Sequence, residues 1–219
     1  MRLELAYPVT PFKLFQPFGK NEACVKDFGK PTQVVKGKVN GACPVGFEEL
    51  YPKFGMRAHN GNDLVAGEQT VFASHDGVVV EAQKVPARGL GIGLMTHTPV
   101  ELDESGTHYA KTRYWHLKQL FVDVGDTIKK GQPLGISDNT GYSSGNHLHF
   151  ELQPMDKDAG GHPYLAFNAN GIGAAIDPEP FYTGELPNQT MITSLQLQLI
   201  VLLKKLVEAL KTKKQINYV

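Results

Sequence analysis

The sequence predicts an all-β protein, with an antiparallel β-sandwich or barrel-like core, long loops and a C-terminal α-helix. Three observations lead to this fold class. Short runs rich in β-branched and aromatic residues occur between residues 70 and 155, and Gly, Pro and Asp separate them. Gly and Pro contribute 23 and 14 of the 219 residues, which indicates many turns. No amphipathic helical pattern of useful length begins before residue 190.

The individual elements follow from these runs. Strands are predicted at 71–73, 77–82, 93–96, 109–116 and 148–152. Two stretches are predicted to be loops, residues 16–50 and residues 157–180, and the second is rich in glycine and proline. The first loop contains both cysteines, Cys24 and Cys43, for which a disulfide and free thiols are equally compatible with the sequence.

Charge and cysteine content exclude several classes of function. Lys and Arg number 22, and Asp and Glu also number 22, so the net charge of zero gives no whole-protein argument for nucleic-acid binding. Two cysteines are too few for a disulfide-dense scaffold or a four-thiolate zinc site. The first eight residues contain no apolar segment, and Glu4 and Pro8 interrupt the place where one is needed, so a conventional secretory signal is not expected.

The C-terminal part differs from the rest. Residues 185–219 hold five Lys and two Glu, a net charge of +3. Apolar residues alternate there by three and four positions, which predicts a helix with a heptad seam: Ile192, Leu195, Leu199, Leu202, Leu206 and Ala209. Such a helix could pack on the domain or self-associate, or it could bind an anionic membrane or envelope. Three regions result, namely a loop-rich segment 1–53 packing on the core, a central domain 54–184, and a linker with helix 185–219.

Histidines provide the strongest chemical signal. The sequence contains eight histidines, and two clusters of them could together supply the ligands of a metal ion. His59 and Asp63 stand four residues apart, in a stretch where Asn and Gly favour a turn. His147 and His149 alternate with apolar residues in a predicted strand, so both imidazoles point to one face. His59, Asp63 and one strand histidine together supply two imidazoles and a carboxylate, and three protein ligands with one open position are typical of catalytic zinc.

Two more histidines suit proton transfer, because neutral imidazole titrates near working pH. They are His116 and whichever of His147 and His149 is not a ligand. His116 lies between aromatic residues and leucine, where a packing role is an alternative. The other four histidines have no predicted partner, and surface or packing roles are expected for them: His75, His97, His108 and His162.

Several motifs, in order, resemble the lysostaphin-type (LytM-like) zinc endopeptidases that cut peptidoglycan. The matching stretches are 54–64, 73–79, 114–117, 124–135 and 137–151. The resemblance covers about residues 54–152 and implies an antiparallel core of the duplicated hybrid motif type. It also implies one Zn²⁺ per chain with His59, Asp63 and His149 as ligands, and His116 and His147 as metal-free catalytic imidazoles. This sequence departs from the family pattern at Asn146, where proline is usual, and in a long acidic segment between Gly91 and Tyr114.

The function implied by the resemblance is zinc-dependent hydrolysis of peptide bonds in bacterial peptidoglycan, either at glycine bridges or at D-Ala-containing peptides. The place of action would be the cell wall, in the periplasm or outside the cell. Without a signal peptide, release by lysis is expected, as for a phage endolysin, or another non-classical route. The alternatives are a non-catalytic wall-binding regulator of other hydrolases and a scaffold assembled through the 192–209 heptads.

Overall fold

The computed structural model describes residues 1–19, 34–35, 38–39, 43–44, 56, 58–65, 67–167 and 172–184, together with positions 202, 203 and 206. Sixteen strands are present in these residues: β1 Leu5–Ala6, β2 Leu14–Gln16, β3 Val34–Val35, β4 Lys38–Val39, β5 Cys43–Pro44, β6 Asn62–Val65, β7 Thr70–Phe72, β8 Gly77–Gln83, β9 Leu90–Met95, β10 Val100–Glu101, β11 Thr107–Leu120, β12 Thr127–Ile128, β13 Pro133–Ser137, β14 His147–Lys157, β15 Pro163–Leu165 and β16 Tyr182–Gly184. Short 3-10 turns occupy Pro86–Arg88, Asp103–Ser105 and Glu179–Phe181.

One large sheet dominates the fold. Its strands follow the order β12-β8-β9-β11-β14-β6-β2, with β10, β13, β7 and β15 joined alongside. Every pair in this sheet is antiparallel. The predicted all-β, antiparallel class is therefore confirmed. The long strands β11 and β14 lie side by side at the centre, and they form a platform that carries His116, His147 and His149.

The core lies beneath this platform. Alternate residues of β14 enter it, since Leu148, Phe150 and Leu152 are fully buried and belong to one apolar cluster. Tyr114 of β11 is also fully buried, with its ring 5.2 Å from that of Phe150. Because successive side chains point to opposite faces of a strand, the residues between these apolar positions face the other way. Strand periodicity thus separates the core face from the polar face, as the sequence predicted for 148–152.

Residues 1–19 contact the same core. Leu3, Leu5 and Val9 are buried members of the apolar cluster, and β1 pairs with β16. At the other end of the chain, positions 202, 203 and 206 have helical backbone and exposed side chains. No helix within the described residues is both long and apolar enough to span a bilayer. The rest of the predicted helix lies outside the described residues, as does Cys24, so the helix, the sandwich arrangement, the region boundaries and the cysteine pairing stay predictions.

The predicted loop at 157–180 was partly wrong. Strand β14 continues to Lys157, and β15 at Pro163–Leu165 pairs antiparallel with it. All three β15 residues are exposed, so this edge strand is held by backbone pairing and lacks the alternation of buried and exposed residues that marks a strand in sequence.

His75 takes the packing role rather than the surface one. It is 4% exposed, its Nδ1 donates to the carbonyl of Asp76 at 2.8 Å, and its Nε2 lies 2.9 Å from the hydroxyl of Thr112. The Thr112 hydroxyl lies 3.0 Å from that of Tyr114, which accepts the backbone N–H of Ser74 at 2.9 Å. Burial lowers the pKa of His75 to about 4. The folded protein therefore keeps this imidazole neutral.

Stability should consequently depend on this side chain at mildly acidic pH. The unfolded chain binds a proton near pH 6.5, the folded chain only near 4, so stability is fully present above 6.5 and falls as the pH drops towards 4. The full span corresponds to about 3 kcal/mol. We expect His75→Gln to reduce the loss of unfolding free energy between pH 7.5 and 4.5, measured by urea denaturation. His162→Gln removes an exposed imidazole that pairs with Asp158 and should keep the wild-type slope; equal slopes for all three proteins would contradict this assignment.

Candidate metal centre and active site

Strand register brings the polar residues together. On β14, His149 pairs with Asp63 of β6 on one side and with Trp115 of β11 on the other. Directly opposed residues of neighbouring strands share a face, with Cβ atoms about 4.5–5.5 Å apart. Asp63 and His149 therefore meet because of sheet pairing, although 86 residues separate them in sequence.

The approach to β6 depends on a glycine. A Cβ at Gly61 would lie 2.4 Å from the carbonyl oxygen of Phe150 and 3.0 Å from the His149 ring, so only glycine fits between these strands. Next to it, Asn62 accepts the backbone N–H of Phe18 at 2.8 Å, which fixes the N-terminal segment against this turn. The His-Asn-Gly-Asn-Asp stretch thereby turns so that His59 faces Asp63.

Three donor atoms, one each from His59, Asp63 and His149, meet at one place, the convergence point. His59 Nε2 lies 3.1 Å from Asp63 Oδ1 and 3.0 Å from His149 Nδ1, and the last two atoms are 2.8 Å apart. Tetrahedral zinc with bonds of about 2.0–2.1 Å holds its ligand atoms roughly 3.3 Å from one another. The donor set therefore matches one face of a zinc tetrahedron. Among the described residues, these three side chains are the one group of His, Cys, Asp and Glu whose ligand atoms lie close enough together to hold a metal ion.

Both imidazoles are oriented by their second nitrogen. His59 donates from Nδ1 to the carbonyl of Pro17 at 3.0 Å, and His149 donates from Nε2 to Oε1 of Glu151 at 3.2 Å. A carbonyl and a carboxylate only accept, so the proton sits on these outer nitrogens in the neutral rings. The inner nitrogens then present lone pairs to the convergence point, which is the arrangement that metal-binding histidines usually have.

A buried ion-pair network supports Glu151. Its Oε2 accepts from Arg113 at 2.9 Å, and Arg113 also donates twice to Glu81, at 3.0 and 3.1 Å. The guanidinium lies 4.5 Å from the centre of the Trp115 ring. Although burial opposes ionisation of Glu151, the charge of Arg113 and the hydrogen bond from His149 lower the pKa of this carboxyl to about 2. Glu151 is therefore an anion that acts on His149.

Charge at the convergence point favours a cation. Burial raises the pKa of Asp63, but its contacts with the imidazoles of His147, His149 and His59 lower it well below its usual range. For His149, burial lowers the pKa, while hydrogen bonds to Asp63 and Glu151 raise it to about 9. A cation held by Asp63 and His149 would take the place of the proton on His149.

His116 reaches the same place through a distortion of β11. Register shifts between Trp115 and Leu117, and His116 has φ of +65°, a conformation that non-glycine residues rarely adopt. Such a bulge re-aims a side chain. The ring donates from Nδ1 to the carbonyl of Thr140 at 2.8 Å, and burial lowers its pKa to about 4. His116 is thus a neutral imidazole whose Nε2 is the nitrogen able to accept a proton.

His147 completes the cluster. Its Nδ1 donates to the carbonyl of Gly145 at 2.8 Å, and its Nε2 lies 3.4 Å from Oδ1 of Asp63. The ring centroid is 4.7 Å from that of His116. All five residues singled out in the sequence therefore occupy one site. In the preceding loop, Gly141 has positive φ.

The cluster lies in an open groove of about 650 Å³. This volume falls within the ~300–1,000 Å³ typical of ligand pockets. The described lining residues are Gln16, Met56, His59, Asn60, Asp63, Arg88, Trp115, His116, Gly141, Tyr142, Ser143, Ser144, His147, His149 and Glu151. The convergence point is therefore accessible to a large ligand.

Sequence reasoning missed the residues that orient the histidines. Glu151 had a usable signal, because a residue two positions after His149 in a strand lies on the same face. The carbonyls of Pro17 and Thr140 had none, since they act through the backbone from distant segments. Arg113 was also missed, and its position opposite Glu151 follows only from the β11–β14 register.

Glu151 gives a testable consequence. Gln cannot accept hydrogen bonds at both ends of its side chain, so Glu151→Gln loses a partner for either His149 or Arg113. We expect metal affinity to fall about 10- to 100-fold, the usual cost of losing such an outer partner. Competition with a chromogenic chelator measures this. The matched control is Glu81→Gln, which touches Arg113 but not His149; an equal loss in both variants would assign the effect to the ion-pair network as a whole.

Comparison with known proteins agrees with this geometry. Residues 57–163 match the model of Peptidase family M23. These residues form an M23 peptidase domain. The matched region contains all five clustered residues, so the metal-centre geometry and the family match concern the same part of the chain. The resemblance to lysostaphin-type endopeptidases stated from the motifs is confirmed.

Relatives of the M23 domain include proteins named as endopeptidases. The chain is 36% identical over 113 residues to the peptidoglycan DD-endopeptidase ShyA of Vibrio cholerae, covering 51% of this chain and 23% of that protein. It is 39% identical over 125 residues to the glycyl-glycine endopeptidase ALE-1 of Staphylococcus capitis, covering 56% and 28%. Over 80 residues it is 44% identical to lysostaphin of Staphylococcus staphylolyticus, covering 36% and 14%. The chain thus spans less than a third of the length of each relative.

Proposed function

We propose that this chain is a zinc-dependent endopeptidase that hydrolyses peptide bonds in bacterial peptidoglycan. The observation that carries the proposal is the convergence of His59, Asp63 and His149 in an open groove, with two further imidazoles beside them. The match to Peptidase family M23 and the relatives named as peptidoglycan DD-endopeptidase and glycyl-glycine endopeptidase support the same activity. The proposed place of action is the cell wall, in the periplasm or outside the cell.

One zinc ion per chain is the proposed cofactor, with His59 Nε2, Asp63 Oδ1 and His149 Nδ1 as its ligands. Zinc held by three protein atoms supplies a Lewis acid, which polarises a carbonyl and lowers the pKa of water from ~15.7 to ~7. The protein's own part is to fix these ligands. Pro17 and Glu151 hold the two imidazole rings, and Asp63 contributes the negative charge that balances the cation.

The proposed catalytic residues are His116 and His147. Both donate from Nδ1 to backbone carbonyls, so in each neutral ring Nε2 is the atom that can accept a proton from water and return it to the leaving amine. Their rings lie close enough to act on one substrate, with centroids 4.7 Å apart. The carbonyl contacts also hold both rings in place, which reduces the ordering needed during the reaction.

A non-catalytic wall-binding regulator is the second candidate. It needs the groove but not the ligands, so the three converging donor atoms of His59, Asp63 and His149 would have no role in it. Release by lysis, as for an endolysin, is also a proposal, as are envelope contact and self-association through the helix predicted at 192–209. Deletion of residues 187–219 tests the last two: unchanged envelope binding and unchanged mass by light scattering would exclude both.

Digestion of purified sacculi tests the main proposal. We expect the zinc-loaded protein to release peptide fragments that carry new amino and carboxyl termini, detected by mass spectrometry. A chelator should abolish release, and added zinc should restore it. Sacculi with glycine bridges and sacculi with direct cross-links should be compared in parallel. Wall binding without any cleaved product from either type would favour the regulator instead.

A further inference from the structure

One side chain in the groove has a permanent positive charge. Among the described residues that line the groove, Arg88 alone is a lysine or arginine. It is exposed, and within the part of the chain that the structure describes, its guanidinium forms no ion pair. The groove therefore presents a guanidinium that is available to a ligand.

The acids of the groove do not neutralise it. Glu151 is 3% exposed and engaged by Arg113 and His149, and Asp63 is surrounded by three imidazoles. The other described lining residues are uncharged or histidines. Arg88 therefore remains a positive centre on the exposed wall of the groove. Such a surface attracts an anionic ligand.

The backbone that follows Arg88 is bonded to the loop that contains Thr140 and Gly141. The backbone N–H of Leu90 donates to the hydroxyl of Thr140 at 3.0 Å, and that hydroxyl donates to the carbonyl of Leu117 at 2.7 Å. A Cβ at Gly141 would lie 2.5 Å from the Gly89 nitrogen, so the two loops are in direct contact. Thr140 also accepts the hydrogen bond from His116. The backbone that follows Arg88 is therefore anchored to the same residue that holds a proposed catalytic ring.

We propose that Arg88 binds a carboxylate of the substrate close to the scissile bond. Stem peptides of peptidoglycan have free carboxylates, whereas glycine bridges are uncharged along their length. Arg88 is then a specificity-determining residue that directs the enzyme to cross-linked stem peptides rather than to glycine bridges. This inference rests on the proposed function and names the substrate class for the same groove.

The chemistry of the side chain suits this role. A guanidinium donates two parallel hydrogen bonds to a carboxylate, and such charge-assisted pairs are about twice as strong as neutral ones. A flexible ammonium binds a carboxylate as a point charge without this geometry. We therefore expect loss of the guanidinium to lower kcat/KM for a carboxylate-bearing substrate about 10- to 100-fold.

The experiment uses the zinc-loaded full chain and three soluble substrates. These are a D-Ala-containing cross-linked stem peptide with free carboxylates, the same peptide with its carboxylates amidated, and pentaglycine. For wild type we expect kcat/KM to be highest on the first. Arg88→Gln should lose about 10- to 100-fold on the first substrate and nothing on the second, and Arg88→Lys should fall between. Lys157→Gln, which removes an exposed cation outside the groove, should resemble wild type on all three.

The results that would overturn the role of Arg88 differ from those that would overturn the proposed function. The inference is overturned if Arg88→Gln keeps wild-type kcat/KM on the carboxylate peptide, if it loses equally on the amidated peptide, or if wild type prefers pentaglycine. Zinc content and melting temperature of Arg88→Gln, measured alongside, separate a specific loss from misfolding. If wild type cleaves none of the three substrates nor purified sacculi, the proposed function itself fails.

Discussion

His149→Ala should abolish both stoichiometric zinc and hydrolysis. The variant removes one of three proposed ligands and leaves Asp63 and Glu151 without the imidazole between them. Loss of an outer partner alone lowers metal affinity about 10- to 100-fold, so loss of a ligand should exceed about 100-fold. Elemental analysis after gel filtration gives the zinc content, and release of peptides from sacculi gives the activity. Both should fall to background.

Two further variants make this result specific. Asp63→Asn keeps the shape of the side chain but removes its charge, and we expect the same double loss with less disturbance of packing. His162→Ala removes an exposed histidine that pairs only with Asp158 among described residues, and it should keep full zinc and activity. Retention of one zinc and of hydrolysis in His149→Ala would disprove the ligand assignment.

His116→Ala should separate the metal from turnover. His116 lies beside the three proposed ligands but is not one of them, and its Nδ1 donates to the carbonyl of Thr140, so zinc content should stay near that of wild type. Activity should drop about 10²- to 10⁴-fold, the usual contribution of a positioned acid or base. Elemental analysis and steady-state kinetics on a soluble peptide measure the two quantities. The combination of full metal with little turnover distinguishes a catalytic imidazole from a ligand.

Backbone strain at His116 requires a control. Its φ of +65° suits asparagine better than alanine, and an asparagine amide can still donate to Thr140. His116→Asn should therefore fold like wild type and bind zinc, yet lack the ring nitrogen that accepts a proton. If either variant turned over at the wild-type rate with zinc bound, His116 would have no catalytic role, while the metal assignment would stand.

Alternation along one strand explains why the sequence predicted so much of the site. In 147–152, apolar and polar residues alternate, which places Leu148 and Phe150 in the core and both histidines on the opposite face. The turn-forming residues around Gly61 likewise predicted a bend that returns His59 toward Asp63. These are local patterns, and the structure follows them because one face of the strand must be buried.

The remaining features depend on contacts between distant segments. The carbonyl of Pro17 orients a ring 42 residues away, and Arg113 reaches Glu151 through strand pairing. The bulge at His116 is visible only once β11 pairs with its neighbours. Strand β15 is exposed and has no alternation, so only its pairing with β14 reveals it. A sequence pattern reports burial along one segment, and these features arise between segments.

Anomalous diffraction from crystals of the zinc-loaded protein, collected at the zinc edge, tests directly whether His59, Asp63 and His149 hold the metal. We expect one peak per chain, about 2.0–2.2 Å from His59 Nε2, Asp63 Oδ1 and His149 Nδ1. A peak bound by other residues, or none at this point in a zinc-saturated crystal, would contradict this assignment.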